Sequence, residues 1–168
     1  DEPAVTSQLH TTASLATISL EELNAAAALL ARTDRKYIVD SELLGGLLAD
    51  LGDRLAVLQI GGQREFAYES VYFDTGTLEL YRAAATGRSW RYKVRIRHYV
   101  DSDLAMLEVK TKDGRGRTLK HRRHRSSNAR DRLTDDDCRS IDDIVQQPGS
   151  AVVLEPSLTT RYRRATVV

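Results

Sequence analysis

Apolar and polar residues alternate most regularly in the stretch WRYKVRIRHYV, residues 90–100. The odd positions from Arg91 to Arg97 carry four cations, and the even positions from Trp90 to Ile96 carry apolar side chains. A period of two predicts a half-buried β-strand with one charged and one apolar face. Cations two residues apart repel each other by about 0.6 kcal/mol in water and by about 2.4 kcal/mol at an effective dielectric constant near 20. The charged face is therefore either exposed to solvent or supplied with counter-charges.

Two further strands can present charge on the same side of a sheet. LAMLEVKTK, residues 104–112, and TLKHRRHR, residues 118–125, also alternate, and the DGRGR turn between them favours a hairpin. The polar positions that share a face are Glu108, Lys110 and Lys112 in the first strand and Thr118, Lys120, Arg122 and His124 in the second. Three such strands would form an open basic platform, or a cationic tunnel if the sheet closes into a barrel.

The rest of the pattern predicts an α+β domain built mostly from antiparallel hairpins. Residues 1–17 are polar and aperiodic and are expected to be mobile, whereas 18–168 are expected to form one domain. Helices are predicted over 19–32, 41–52 and 134–147, with a short helix within 74–84. Additional strands are predicted over 34–40, 54–60 and 66–74 and within 151–168.

Composition narrows the class of protein. The 168 residues are 41% apolar and 29% charged, as in a soluble globular domain. No apolar run approaches the length of a membrane span, and the first residues lack the pattern of a secretory signal. The single Cys138 leaves no disulfide partner within the chain and excludes a zinc site of several cysteines. These features predict a cytoplasmic protein.

Charge is concentrated in one part of the chain. The net charge is only +1, but residues 82–132 hold 16 of the 25 Lys and Arg residues and 5 of the 24 Asp and Glu residues. That segment therefore carries +11, and the remainder carries −10. A basic block within an otherwise acidic chain predicts a polyanion site, and nucleic acid, anionic lipid and phosphorylated metabolites all satisfy this criterion.

Six segments follow one another in a recognisable order: RKYIV, SVYFDT, LYR, RYKVRIRHY, LEVKTKDGRGRTLKHR and LEPSLTTRYRR. Over about residues 32–168 the chain resembles the VTC (vacuolar transporter chaperone) domains of the triphosphate tunnel metalloenzymes. The resemblance implies an antiparallel β-barrel with flanking helices, whose bore binds triphosphate or polyphosphate. It further implies a polymerase that transfers the γ-phosphate of ATP to polyphosphate with Mn²⁺ or Mg²⁺.

The same resemblance assigns roles to individual residues. The candidate catalytic residues, which match the R-x-R motif and the lysines of the next two strands, are Arg95, Arg97, Lys110 and Lys120. They are also expected to bind substrate phosphate, and the other phosphate ligands implied are Lys36, Tyr162 and Arg164. Tyr162 is alternatively a core tyrosine with a hydrated hydroxyl group.

The sequence gives less specific predictions for five further residues. Arg91 and Lys93 lie on the charged face near the start of their strand, where they are expected at the tunnel mouth. Glu108 is predicted either to pair with neighbouring cations or to bind a divalent metal. His121 and His124 are three residues apart in a strand, so they point to opposite faces and are not expected to share a metal.

The chain departs from the family pattern at both ends. It has DRKYIVD where related tunnel phosphatases have E-x-E-x-K, which disfavours triphosphate hydrolysis. The family continues beyond the point that corresponds to Val168, with strands that carry an arginine, a metal-binding glutamate and a lysine. We therefore expect a tunnel without its last strands, either as part of a longer protein or as a half-barrel that assembles with a partner.

Three functions compete at this stage. The first is the polymerase-type phosphotransferase, and the second is a sensor module that binds polyphosphate or nucleotide without catalysis. The third is a nucleic-acid-binding domain. It is disfavoured because single-strand binders stack bases on aromatic rings beside the basic groove, whereas Trp90 and Tyr92 alternate to the opposite face from the arginines.

Overall fold

Five strands form the main sheet of the computed structural model, which describes residues 12–27, 35–125 and 129–168. The strands of the described chain are β1 (Ala16–Ile18), β2 (Ala56–Leu58), β3 (Phe66–Asp74), β4 (Arg91–Tyr99), β5 (Leu104–Lys112), β6 (Thr118–His124) and β7 (Glu155–Arg164). The helices are α1 (Leu20–Ala27), α2 (Ser41–Leu51), α3 (Glu79–Ala85) and α4 (Asp135–Val145). The predicted α+β class is confirmed, and β3 and β5 have the predicted bounds.

The main sheet is antiparallel and open, with the strand order β6-β5-β4-β3-β7. A barrel requires the two outer strands to pair with each other, and within the described residues β6 and β7 do not pair. The described sheet is therefore not a closed barrel, and an open sheet is what a tunnel without its last strands would show. Completion by a partner stays a prediction.

One face of the sheet carries the main hydrophobic core. The even positions of β4 face α4 and alternate with the cations, as the period of two requires. The buried members of this core are Val71, Phe73, Leu80, Tyr92, Val94, Ile96, Leu107, Val109, Ile141, Val145 and Ala151. Trp90 is not among them, since β4 begins at Arg91 and Trp90 is exposed.

The start of α4 is fixed by a buried ion pair. Thr134 and Asp137 form a reciprocal capping box, in which the Asp137 backbone N–H donates to Thr134 Oγ1 at 3.2 Å and Thr134 N–H donates to Asp137 Oδ2 at 3.0 Å. The buried guanidinium of Arg125, which follows β6, donates to the same carboxylate through Nε at 3.0 Å. The pair thus links the end of an edge strand to the helix that covers the core.

Residue contacts divide the chain into two units. The first comprises the described residues of Asp1–Phe66 together with Arg164–Val168, and the second is Ala67–Arg163. In the first unit, β1 pairs in parallel with β2, and Ala56 exchanges backbone hydrogen bonds with Val168 at 2.9 Å. Leu15, Leu48 and Val57 form its small core. The second unit contains the main sheet except for its terminal residues Phe66 and Arg164.

Helix starts in the first unit follow the sequence signals. Ser19 and Glu22 form the expected capping box of α1, and Asp40 caps α2 by accepting from Leu43 N–H at 2.7 Å. No described helix is both long and apolar enough to span a membrane.

Two assignments near the start of the chain differ from the structure. Residues 35–40 have no regular secondary structure, so the strand predicted over 34–40 is wrong for its described part. The strand Ala16–Ile18 begins in the last two residues of the segment predicted to be mobile. Residues 1–11 and 28–34 lie outside the described residues, and with them the end of the helix predicted over 19–32.

The Arg125–Asp137 pair gives a stability prediction. We expect Asp137→Asn to reduce the free energy of unfolding by on the order of 3 kcal/mol, because it leaves the buried Arg125 guanidinium without its counter-charge. Urea denaturation of the full chain measures the loss. The control is Asp136→Asn, which removes an exposed carboxylate from the same helix turn. A loss no larger than that of the control would contradict the prediction.

The same pair predicts the direction of a pH dependence. Burial alone would raise the pKa of Asp137, but hydrogen bonds from Arg125 and Thr134 hold that pKa below its usual value. The contribution of Asp137 is therefore complete above the unfolded carboxyl pKa of about 4, and it is lost as the pH falls through the lower folded value. Urea denaturation between pH 5 and 2, as a rough range, should show a smaller loss on acidification in Asp137→Asn than in the wild type.

Candidate functional site

The side of the main sheet opposite the core is dense in positive charge. The register aligns Arg91 with Lys112, Lys93 with Lys110 and Lys120, and Arg95 with Glu108 and Arg122. We call this side the cationic face; its charged members on β4, β5 and β6 are Arg91, Lys93, Arg95, Arg97, Glu108, Lys110, Lys112, Lys120 and Arg122. On these three fully described strands, Glu108 is the single carboxylate among eight Lys and Arg residues of this face.

Glu108 lies at the centre of the cationic face and forms ion pairs with three cations. Its side chain is 2% exposed. Arg95 donates from Nε to Oε2 at 2.7 Å, and on the other side Lys120 Nζ and Arg122 Nε approach Oε1 at 2.9 and 3.1 Å. Arg95 also donates to the hydroxyl group of Tyr72 at 2.8 Å. The carboxylate on β5 thus pairs with cations of both neighbouring strands, β4 and β6.

The pKa shifts follow from this arrangement. Burial alone would raise the pKa of Glu108, but hydrogen bonds from Lys120 and Arg95 outweigh it and hold that pKa below its usual value. Burial lowers the pKa of Lys120, and Glu108 only partly opposes this effect. Glu108 is therefore a carboxylate held ionised by its neighbours, without the raised pKa of a general acid.

Arg97 is the exception among the central arginines. The residue is 8% exposed. Its Nε donates to Ser70 Oγ at 3.3 Å, and its guanidinium carbon lies 5.5 Å from the ring centroid of Tyr68 and 6.0 Å from that of Tyr162. Among the residues that the structure describes, no carboxylate forms an ion pair with Arg97. A buried guanidinium with aromatic neighbours and one hydroxyl acceptor retains donors for an anionic ligand.

The far end of the cationic face carries cations without counter-charges. Lys93 lies opposite Lys110, and Arg91 lies opposite Lys112, so like charges face each other across β4 and β5. Directly opposed like charges destabilise a sheet. A cleft of about 300 Å³ is lined by these four residues, and within the described chain none of Lys93, Lys110 and Lys112 forms an ion pair. The arrangement suits an anion that spans both strands.

The structure brings most of the predicted residues together. Arg91, Lys93, Arg95, Arg97, Glu108, Lys110 and Lys120 share the cationic face, and Tyr162 of β7 joins it by stacking on Tyr68 with centroids 5.3 Å apart. Arg164 is the exposed last residue of β7. Lys36 belongs to the first unit and lies in an exposed stretch without regular structure, so it is not part of the main sheet. The proposed role of Lys36 stays a prediction.

Four residues of the site were not assigned from the sequence. Tyr68, Ser70 and Tyr72 of β3 lie opposite Tyr99, Arg97 and Arg95, and each contacts an arginine of β4. Arg122 of β6 lies on the charged face that the alternation predicts, but the sequence predicts no role for it. The available signal was the alternation of Tyr68, Ser70 and Tyr72, which becomes informative only once the register with β4 is known.

The described residues do not fit a divalent metal. Mg²⁺ and Mn²⁺ need several oxygen ligands with negative charge. Glu108 is instead surrounded by three cations, and the described chain contains no cluster of three or more His, Cys, Asp and Glu residues that could hold a metal ion. His121 and His124 pair with residues on opposite faces of β5, in agreement with their spacing. The geometry favours the ion-pair role for Glu108.

Both solved structures and a protein-family model match this chain. A crystal structure of a candidate adenylate cyclase from Bacillus halodurans matches 77% of this chain with a TM-score of 0.50 and 17% identity. The chain spans 63% of that protein's length, and at this identity the likeness shows a shared fold. No curated protein matches the chain.

The sequence comparison is more specific. A model of the VTC domain family matches residues 31–168. The match contains all of the main sheet and every site residue described above. The chain therefore belongs to the VTC domain family.

Proposed function

We propose that the cationic face binds the phosphate chain of a triphosphate or polyphosphate. The observation that carries this proposal is the buried Arg97, which has no ion pair in the described chain although the neighbouring Arg95 is paired. A buried charge without an ion pair is costly in a folded protein. A phosphate ligand would supply the missing negative charge and accept the remaining guanidinium donors.

The distribution of cations favours an extended anion over a single phosphate. Arg97 has no ion pair in the described chain, and the next arginine of the face, Arg95, is paired with Glu108. Further along β4, Lys93 and the opposing Lys110 again have no ion pair among the described residues. Along β4, Arg97 and Arg91 are six residues apart, which is roughly 20 Å in a strand. A linear chain of phosphates presents charge along its whole length, so it can contact several of these residues at once.

The finer proposal is a phosphotransferase of the polyphosphate-polymerase type. Membership in the VTC family supports it. In the proposed reaction, a terminal oxygen of polyphosphate forms a bond to the γ-phosphorus of ATP, the bond from that phosphorus to the β-bridging oxygen breaks, and ADP leaves. Catalysis of phosphoryl transfer depends mostly on positioning and on stabilising charge. Arg95, Arg97, Lys110 and Lys120 would supply those functions without a protein nucleophile.

The family also implies Mn²⁺ or Mg²⁺, which would neutralise charge on the phosphates. The described residues do not fit a metal ion by themselves. The corresponding alternative is a sensor that binds polyphosphate or nucleotide through the same cations but does not turn it over.

Single-stranded nucleic acid is a second candidate ligand. Three tyrosines of the cationic face favour it, namely Tyr68, Tyr72 and Tyr162, because stacking rings beside cations are typical of such sites. These rings are already in contact with Arg95 and Arg97 and with each other, which reduces the surface left for bases. The inorganic phosphate chain therefore remains the preferred ligand.

Replacement of Arg97 tests the binding proposal. We expect Arg97→Met to weaken tripolyphosphate binding about 10- to 100-fold, as expected when a charge-assisted hydrogen bond is lost. Thermal stability without ligand should be unchanged or higher, because the variant removes a buried charge that has no ion pair in the described chain. Calorimetric titration and thermal denaturation measure the two quantities.

The control for this variant is Arg139→Met, which removes an exposed arginine of α4 on the opposite side of the sheet. It should bind tripolyphosphate as the wild type does. Equal affinity in Arg97→Met and Arg139→Met would exclude the site, and displacement of tripolyphosphate by a short oligouridylate at lower concentration would favour nucleic acid.

Glu108→Gln distinguishes the two roles predicted for Glu108. If Glu108 neutralises its neighbours, the variant releases Arg95, Lys120 and Arg122, so metal-free tripolyphosphate binding should become several-fold tighter. The free energy of unfolding should fall at neutral pH, because three cations lose their counter-charge. The result expected for a metal ligand is different: unchanged metal-free affinity with loss of any enhancement by Mn²⁺.

Turnover distinguishes the enzyme from the sensor. If the finer proposal holds, the chain incubated with ATP, Mn²⁺ and a polyphosphate primer should release ADP and lengthen the primer, and Lys120→Gln should slow this by at least about 10-fold. Electrophoresis of the primer measures the product. Binding of tripolyphosphate without ADP release would support the sensor.

A further inference from the structure

An apolar concavity of about 460 Å³ adjoins the cationic face at β3, β4 and β7. We call it the apolar groove; the residues that matter here are Tyr72, Leu78, Tyr81, Lys93 and Leu158. All of them belong to the second unit. The volume lies within the range of small-molecule sites, which are mostly apolar with a few polar groups.

The walls of the groove include large apolar side chains that remain exposed. Leu78, Tyr81 and Leu158 are 43%, 64% and 57% exposed, and they surround one depression. Clustered exposure of this kind marks a binding surface more often than scattered apolar residues do. Leu78, which precedes α3, also has a left-handed backbone conformation with φ of 58°, which is uncommon for a bulky residue and is enriched at functional sites.

The groove and the cationic face share residues. Lys93 belongs to both, and the hydroxyl group of Tyr72 accepts a hydrogen bond from Arg95 at 2.8 Å. A ligand whose phosphates lie on the cationic face can therefore extend an uncharged group into the groove. Inorganic polyphosphate has no such group, so the groove would contribute nothing to its binding.

We propose that the apolar groove holds the base of a nucleoside triphosphate whose phosphate chain lies on the cationic face. This proposal rests on the phosphate-binding function and adds a specificity site to it. The exposed Tyr81 offers an aromatic ring to a planar base, and Leu158 offers an apolar edge. The hydroxyl group of Thr160, on the same strand as Leu158, lies at the groove and can hydrogen-bond a ribose or a base edge.

The test compares ATP with tripolyphosphate on variants of the full chain. Tyr81→Ala and Leu158→Ala should each weaken ATP binding about 5- to 10-fold while tripolyphosphate binding stays within about 2-fold of wild type. The matched control is Leu119→Ala, because Leu119 is also 57% exposed and lies on the other edge strand, β6. It should change neither affinity. Titrations are performed calorimetrically at one salt concentration, without metal, after thermal denaturation confirms folding.

The outcomes separate the two proposals. Unchanged ATP affinity in both Tyr81→Ala and Leu158→Ala, with tripolyphosphate still bound, would overturn the groove proposal and leave phosphate binding intact. A parallel loss of both ligands in these variants would also overturn it, since the groove would then serve the phosphate chain. Absence of tripolyphosphate binding by the wild type would overturn the phosphate-binding function and the groove proposal together.

Discussion

The carboxylate of Glu108 determines how the cationic face can exist in a folded sheet. It is buried on β5, and its oxygens contact Arg95 of β4 and Lys120 and Arg122 of β6. One carboxylate can compensate its immediate neighbours but cannot compensate eight Lys and Arg residues. The remaining cations need another source of stabilisation, which solvent can supply where they are exposed and which the proposed phosphate ligand would supply at the buried Arg97. This imbalance is the physical basis of the proposed function.

The excess of charge on the cationic face means that hydrophobic burial must come from the opposite face of the same strands. Since the cationic face contributes little hydrophobic burial, the second unit depends on the apolar residues that β3, β4 and β5 present to α4. Asp137 and Arg125 fix α4 at the end of β6, so a second buried ion pair holds the helix over the core. In that pair the charges balance, and the carboxylate is also satisfied by the capping box. It is a structural pair, whereas the buried Arg97 on the opposite side of the sheet has no ion pair in the described chain.

Local pattern predicted the strands and the side of the sheet that each residue faces. The bounds of β3 and β5 and the capping residues Ser19, Asp40 and Thr134 follow from alternation and from short-range hydrogen bonds. Features that depend on long-range pairing could not be read in this way. β1 is only three residues long and is stabilised by β2 about forty positions later, so its sequence carries no periodic signal. Lys36 was placed by a motif match, and that motif does not form a strand here.

The sequence predicts which residues form the site, but it does not predict how their contacts differ. Alternation places Arg95 and Arg97 on one face as equivalent residues, and nothing in the sequence distinguishes them. The register does, because it sets Arg95 opposite Glu108 and Arg97 opposite Met106 on β5. On β3, the same register gives Arg95 the hydroxyl group of Tyr72 and leaves Arg97 with Ser70. These two arginines of one face thus differ in their cross-strand partners: Arg95 pairs with a carboxylate, whereas Arg97 has no ion pair in the described chain and is the residue proposed to bind phosphate.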